Sequence, residues 1–386
     1  MFAWRFPMNG EFGAGHMDRL LHEVVDAAVA ARASDVHIEP QEDRTMIRFR
    51  IDGRLRPHRE VEKHLHGALL LRLKIISRIA VDLAHLPQDG KWSFFSGAVR
   101  RDVRVSLIPF SYGEGAVLRI LMGFAAVPTL EDLGFDGKTA AGLRAAVRGP
   151  DGLLLLTGPT GCGKSTTIHA MLAELNDGTR KLITVEDPVE YVADGISSVQ
   201  VDESRGLGFA DAIRAVLRQS PNVIFVGEIR DEATASVAVQ AALTGHFVCS
   251  TLHCRDSVGA ISRLMELRVP IHLIATVLRG VLSQRLVRRL CEKCKRPTGT
   301  AGAFGGIFSR DGNGAFFSAN GCEHCAWSGY FDQTAIYEWM ELTNGSAESF
   351  TEKKCAEQIS ISLKCCAQTK VAEGVTSPEE AYVAIG

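Results

Sequence analysis

Nowhere in its 386 residues does this chain approach the roughly 20 consecutive apolar side chains that a helix needs to cross a bilayer. A strong charge of either sign is also lacking. The formal net charge of -2 gives no basic surface of the kind that coats nucleic acid, so no nucleic-acid partner is expected. The stretch from Met1 to Gly15 mixes aromatics, Arg5, Pro7 and glycines and has none of the apolar centre of a secretory signal. Export is therefore not expected, and any membrane association must come from docking onto a partner. There is no internal repeat and no low-complexity tract. What remains is an ordinary globular composition, 46% hydrophobic and 23% charged. Its length suits two or three domains of about 100–200 residues each.

Cysteine is the exception, with ten in the chain. Four form two Cys-x-x-Cys pairs, Cys291/Cys294 and Cys322/Cys325; the others are Cys162, Cys249, Cys254, Cys355, Cys365 and Cys366. A reducing compartment keeps these as thiols, and the paired spacing points to metal before disulfides.

Periodicity divides the chain. After a tail at 1–15, apolar residues at helical spacing predict a helix over Asp18–Ala33 and another over Gly67–Ala84. Strand-like runs occur at Val36–Ile38, Met46–Ile51, Val103–Ile108 and Ala116–Leu121, which makes 16–125 a small α+β domain. Pro128 and Gly134 mark 126–138 as a linker. From 139 to 386 the pattern is α/β. Apolar strands at Leu153–Thr157, Leu182–Val185, Val223–Val226 and Phe247–Ser250 alternate with helices, which predicts a parallel sheet. The Gly-rich stretch from Ala301 to Asn320 reads as an irregular loop.

Between the first of these strands and its helix lies Gly158-Pro159-Thr160-Gly161-Cys162-Gly163-Lys164-Ser165, the G-x-x-x-x-G-K-[ST] pattern. Its glycines let successive backbone N–H groups turn onto phosphates, and the helix N-terminus adds positive potential. Lys164 is the ammonium for the β/γ oxygens, and Ser165 supplies a hydroxyl to Mg²⁺; Thr166 completes the ATP-binding run. Cys162 stands at a variable position and reads as an inert filler. The strand Val223–Val226 runs into Gly227-Glu228, where the acid would hold Mg²⁺, through water, or polarise the attacking water.

Further motifs resemble the motor ATPases of bacterial type II secretion and type IV pilus assembly. Ile183-Thr184-Val185-Glu186-Asp187-Pro188-Val189-Glu190-Tyr191 is similar to their acidic box, Gly227-Glu228-Ile229-Arg230-Asp231 to their acidic strand, and Thr244–His253 to their histidine box. Gln284–Cys291 resembles the opening of their zinc element. Ala33–Pro40, Arg48–Gly53 and Leu86–Gly90 resemble their N-terminal half. The likeness runs from about Leu20 to about Met340.

The resemblance implies a RecA-like P-loop ATPase domain with a parallel central sheet, a smaller PAS-like α+β domain before it, and a zinc-binding subdomain. It implies Glu190 as general base, with Glu186 as the alternative, and His253 as a sensor of the γ-phosphate. It implies that Arg104 and Arg119 of the first domain reach the nucleotide held by the second, with Arg214, Arg218, Arg230 and Arg263 completing the set. Cys291, Cys294, Cys322 and Cys325 would close a tetrahedral Zn²⁺ shell at about 2.3 Å per bond, structural rather than catalytic. That zinc would staple an element over about 288–335; His324, inside the second pair, is not counted as a ligand. The implied assembly is a homo-oligomer, a ring of six, that works in the cytoplasm against an inner-membrane platform protein and drives pilin or pseudopilin assembly.

Departures are visible too. The extra N-terminal docking domain of many members is not expected here, and the loop between the cysteine pairs is short. Ala233, Cys254, Arg255 and Asp332-Gln333 replace usual residues, and the segment after Thr343 matches poorly. These leave open three other readings: a retraction motor, against which the four cysteines argue, a conjugation ATPase, and a nucleotide-dependent regulatory switch.

Overall fold

The computed structural model describes residues 14–97, 99–121, 127–298, 304–308, 316–342, 350 and 352–386. The chain forms two compact units, Met1–Gly123 and Phe124–Gly386.

In the first unit, helix α1 (Ala14–Ala30) leads to strands β1 (Asp35–Pro40), β2 (Arg44–Ile51) and β3 (Arg54–Glu62). Helix α2 (His66–Ser77) and strands β4 (Gln88–Ser96), β5 (Val99–Phe110) and β6 (Gly113–Leu121) follow. The strands form one antiparallel sheet in the order β3-β2-β1-β6-β5-β4. Strict alternation buries one face: Val36, Ile38, Ile47, Val105, Leu107 and Leu118 pack with Leu21 and Val25 of α1 and Leu69 and Leu73 of α2. The second helix is shorter than its periodicity predicts. Arg78 adopts a left-handed conformation (φ 57°) and closes it. Strands β3 and β4 escaped the sequence reading because both are edge strands. The first is crowded with Arg54, Arg56, His58 and Arg59, and the second alternates on only Trp92 and Phe94.

In the second unit, α3 (Gly137–Arg148), β7 (Gly152–Thr157), α4 (Lys164–Leu175), β8 (Leu182–Glu186), β9 (Ile196–Gln200) and α5 (Phe209–Leu217) come first. Then follow β10 (Val223–Val226), α6 (Glu232–Leu243), β11 (Phe247–Leu252), α7 (Ser257–Glu266), α8 (Ile271–Val277) and β12 (Leu278–Leu290). The remainder comprises β13 (Arg296–Thr298), α9 (Gly305–Phe308), β14 (Phe316–Ser318), β15 (Tyr330–Glu341), α10 (Glu352–Ala356), β16 (Ile359–Ile361), α11 (Leu363–Ala372) and α12 (Pro378–Ile385). The main sheet runs β16-β15-β12-β7-β11-β10-β8-β9. From β12 to β9 every pairing is parallel, and β15 and β16 add antiparallel strands at one side.

Both faces of this sheet are covered, which is why its central strands read as unbroken apolar runs. On one face, β7 and β10 pack under α5, α6, α7 and α8 through Ile213, Ala238, Ile261 and Ile274. On the other, α3, α4, α11 and α12 bring Leu143, Ile168, Ala367 and Ala381.

Residue 126 of the expected linker lies outside the described residues, as do 122–125 before it, but Leu130 and Phe135 are buried in the second unit's core. Leu133 accepts a hydrogen bond from the Ala335 amide, and the Tyr337 hydroxyl bonds Asp136 at 2.6 Å. Of the expected tail, residues 1–13 lie outside the described residues, as do 301–303 and 309–315 of the Gly-rich stretch; α9 lies between those two segments, and β14 follows the second and pairs with β13. Among the described residues, no helix is long and apolar enough to cross a membrane.

Candidate active site

Strand β7 is buried along its whole length and delivers the chain to the phosphate loop at Gly158. Gly163 caps α4 in a left-handed conformation (φ 89°), and a Cβ there would come within 2.8 Å of the Gln284 amide nitrogen. Only glycine fits both demands. Gln284, on β12, stands in the sequence at the start of the stretch that resembles the zinc element's opening. Its amide is 1% exposed and locks the loop: Nε2 donates to the Cys162 carbonyl at 2.8 Å, and Oε1 accepts from the Thr167 hydroxyl at 2.9 Å. The signal was hidden because the partner strand lies some 120 residues away in sequence.

Lys164 is buried, and its ammonium donates to the carbonyls of Gly158 (2.8 Å) and Pro159 (3.1 Å). Pro159, Thr160 and Gly161 form the exposed crest of the loop, and Ser165 and Thr166 are half-buried at the start of α4. Burial pushes the Cys162 thiol up, so it stays protonated and inert, as its position suggested.

Two carboxylates come from the acidic box, and the fold treats them differently. Glu186 ends β8 and is 3% exposed. Its Oε2 accepts the Glu190 amide at 3.4 Å and lies 3.7 Å from His169 Nε2. Glu190 is half-buried in the loop after the strand.

Glu228 follows β10, whose end is fixed by its neighbour. Ser250 donates to the Val226 carbonyl (2.8 Å), Thr251 to the Gly227 carbonyl (2.7 Å), and the Ile229 amide returns to Thr251 at 3.0 Å. Glu228 hydrogen-bonds Arg230, which holds the guanidinium's pKa up, and lies 3.6 Å from His253 Nε2. Arg230, His253, Cys254 and Arg263 line one cavity of about 420 Å³. Arg263 also pairs with Glu266 at 2.8 Å. Arg214 and Arg218 sit on α5 and at its C-terminal end, Arg214 paired with Asp211. His246 instead bonds the Ala241 carbonyl at 3.1 Å, a structural role.

In the first unit, Arg104 and Arg119 are direct cross-strand partners on the sheet face away from that unit's core, and Arg119 Nε donates to buried Asp35 at 3.0 Å.

The four paired cysteines converge: all four sulfurs lie within 4.8 Å of one another. Cys291–Cys322, Cys294–Cys325 and Cys322–Cys325 are 3.9, 3.8 and 3.8 Å apart. Four sulfurs at about 2.3 Å from a tetrahedral zinc would stand about 3.8 Å apart, so the residues fit the ion. Burial opposes ionisation of Cys325, yet the amides of Cys322 and Gly329, each 3.2 Å away, together with the Cys294 and Cys322 thiols bring its pKa down to about 6. His324 stands aside and stacks on Phe331. Of the remaining thiols, Cys355 and Cys366 are core residues, and burial pushes Cys366 up to about 11.

The family profile described as "Type II/IV secretion system protein" matches residues 11–383. The chain belongs to that family. It is an ATP-hydrolysing motor of the secretion and pilus class, and family membership implies nucleotide, typically with Mg²⁺. "Type II secretion system protein E" of Pseudomonas aeruginosa is 40% identical over 371 residues, covering 94% of this chain and 74% of that one. "Type IV pilus assembly ATPase PilB" of Thermus thermophilus is 40% identical over 357 residues, 92% of this chain but 40% of its own length. The X-ray structure of the Legionella pneumophila ATPase DotB superposes with a TM-score of 0.72 at 23% identity, covering 98% and 97% of the two chains. As a secretion ATPase, the chain has the expected parallel-sheet core, and the phosphate loop and acidic box stand at strand ends, where doubly covered parallel sheets place ligands.

Proposed function

We propose that this secretion ATPase is an assembly motor that drives pilin or pseudopilin subunits at the inner membrane. It works in the cytoplasm as a homo-oligomer, a ring of six, against a membrane platform protein, without nucleic acid. Gly158–Thr166 cradles ATP, Lys164 meets the β/γ-phosphates, and Ser165 and Glu228 hold Mg²⁺. Glu190 aligns the attacking water as general base, and His253 and Arg230 contact the γ-phosphate. Arg104 and Arg119 neutralise charge that develops in the transition state, and a rotation between the 16–125 and 139–386 domains converts hydrolysis into movement. The single observation that carries the reading is the Gln284-locked loop with two strand-end acids, Glu186 and Glu228, on the neighbouring elements. Phosphate release under multiple turnover with Mg-ATP tests it. Steady release supports a motor. A single burst with no further turnover would instead make the protein a nucleotide switch.

The cysteine cluster holds a structural Zn²⁺. Four protein sulfurs would leave a bound ion no position for water, and its part would be to fold the element between β12 and β15.

A further inference from the structure

We propose that Glu186 is a positioning residue. Its buried carboxylate fixes the main chain of Glu190, and His169 ties that carboxylate to the phosphate-loop helix. The inference rests on the assignment of Glu190 as general base.

A general base must meet the water it activates. Glu186 is 3% exposed and sits behind His169, which is itself 1% exposed. The one Glu186 oxygen that faces a donor, Oε2, accepts the Glu190 amide at 3.4 Å. A carboxylate so placed sets the backbone of the next acid in sequence rather than reaching substrate.

The same oxygen is approached by a residue that no motif singles out. His169 sits one turn into α4, and its Nδ1 lies 2.7 Å from the Ser165 carbonyl. A carbonyl oxygen only accepts, so Nδ1 carries the hydrogen and the ring orientation is set. The ring also packs on Tyr191 (centroids 4.4 Å apart) and edge-on against Phe225 (5.6 Å). Nε2 then faces Glu186 Oε2 at 3.7 Å, an ion-pair contact that holds when both ring nitrogens carry hydrogen. Tyr191, the residue after Glu190, also has its hydroxyl near the Thr166 side chain, which eases its ionisation against the burial that pushes its pKa up.

The result is a closed strut from Ser165 through His169 and Glu186 to the Glu190 amide. A second strand of contact runs from Thr166 through Tyr191. Both start on the turn of helix that carries Lys164 and Ser165. The base is thereby registered against the groups that hold the phosphate, and a misplacement of about 1 Å in such an alignment can cost on the order of 10²-fold in rate.

The test measures kcat, KM and the affinity for a non-hydrolysed ATP analogue on the full chain. Glu186→Ala should lower kcat by about 30-fold or more while analogue affinity stays within about threefold. Glu186→Gln, whose amide oxygen still accepts the Glu190 N–H, should recover about tenfold of that loss. In a Glu190→Gln background, Glu186→Ala should cost no more than about threefold further, because it acts through Glu190. His169→Gln, which keeps a side chain able to reach Ser165 but not the paired contact, should lower kcat by about tenfold with affinity unchanged. It keeps the question open to test if Glu186→Ala fails the circular-dichroism check for folding. Glu186→Gln as slow as Glu186→Ala would make the charge itself essential and overturn the proposal. Full additivity with Glu190→Gln, or wild-type kcat in His169→Gln, would also overturn it. Wild-type turnover in Glu190→Gln alone would remove the base assignment, and the strut with it.

Discussion

Lys164 and Gln284 grip the phosphate loop from within and from the neighbouring strand, and the two should fail differently. Lys164→Ala removes the ammonium that bonds the loop's own carbonyls, so Mg-ATP hydrolysis should fall to background while circular dichroism is retained. Wild-type turnover in that variant would refute the site. Gln284→Ala leaves a buried carbonyl and a buried hydroxyl without their partners, a cost of about 1–3 kcal/mol to the local structure. Weaker nucleotide binding, by about tenfold, should therefore accompany a modest fall in melting temperature. Unchanged affinity would mean that the loop holds its shape without this clamp. Glu190→Gln should keep affinity and slow single-turnover hydrolysis by about 10²–10⁴, the range for loss of a general base. If Glu186→Gln alone produced that pattern, the two acids would have to exchange roles.

At the scale of elements, legibility followed burial. Strands β7, β8, β10 and β11 are covered on both faces and announced themselves as apolar runs. Strand β12 is equally central, yet it carries Arg279, Gln284, Arg285, Arg288 and Arg289, so its sequence looks like a charged surface segment. Those polar groups have fold-specific partners that no local pattern reveals: Arg279 pairs with Asp151 (2.6 Å), Arg285 bonds the Arg255 carbonyl, and Arg288 forks onto Glu380 while its guanidinium stacks on Tyr330. The phosphate loop and the cysteine pairs were legible because their chemistry is written in local spacing. Gln284 and His169 were not, because each acts through contacts that only the fold creates. Similarly, Leu130 and Phe135 lie in a stretch marked by Pro128 and Gly134 as linker, and only their burial shows the second unit's core beginning there.

The four-cysteine element hangs between β12 and β15, which pair with each other inside the main sheet. Metal loss should therefore leave those strands intact. Cys291→Ser should lose zinc, and hydrogen exchange should quicken over about 291–329 and stop at the strands, because the ends of the expected 288–335 element belong to β12 and β15. A closed four-sulfur site can lend about 10–16 kcal/mol of local folding free energy in peptide models, far more than the short β13–β14 pairing can supply. Nucleotide affinity should survive. Purified wild-type protein without zinc, yet protected over these residues, would overturn the metal assignment; affinity lost together with zinc would show that the element supports the nucleotide site.

For the whole molecule, the division of labour between the units makes a kinetic claim. The groups assigned to ground-state binding, from Gly158 to Thr166 with Glu228, all belong to the second unit. The first unit carries a row of cations set by strand register: Lys91 opposite Arg104, Arg104 opposite Arg119, and Arg119 opposite Asp35, which holds it; the proposed function assigns Arg104 and Arg119 to the transition state. Charge on the γ-phosphoryl oxygens shifts as the bond to the leaving group breaks, so a cation delivered by a moving unit can act on the transition state more than on bound ATP. Arg119→Ala and Arg104→Ala should therefore leave analogue affinity within about threefold and lower kcat by on the order of 10³, the low end for an arginine supplied to a phosphoryl-transfer site. Arg119→Lys should rescue little, because a point charge lacks the planar fork that Asp35 orients. A loss that appeared in affinity and left kcat untouched would place these arginines in nucleotide capture. No loss at all would leave the first unit a passive partner, and the coupling of hydrolysis to movement would need other residues.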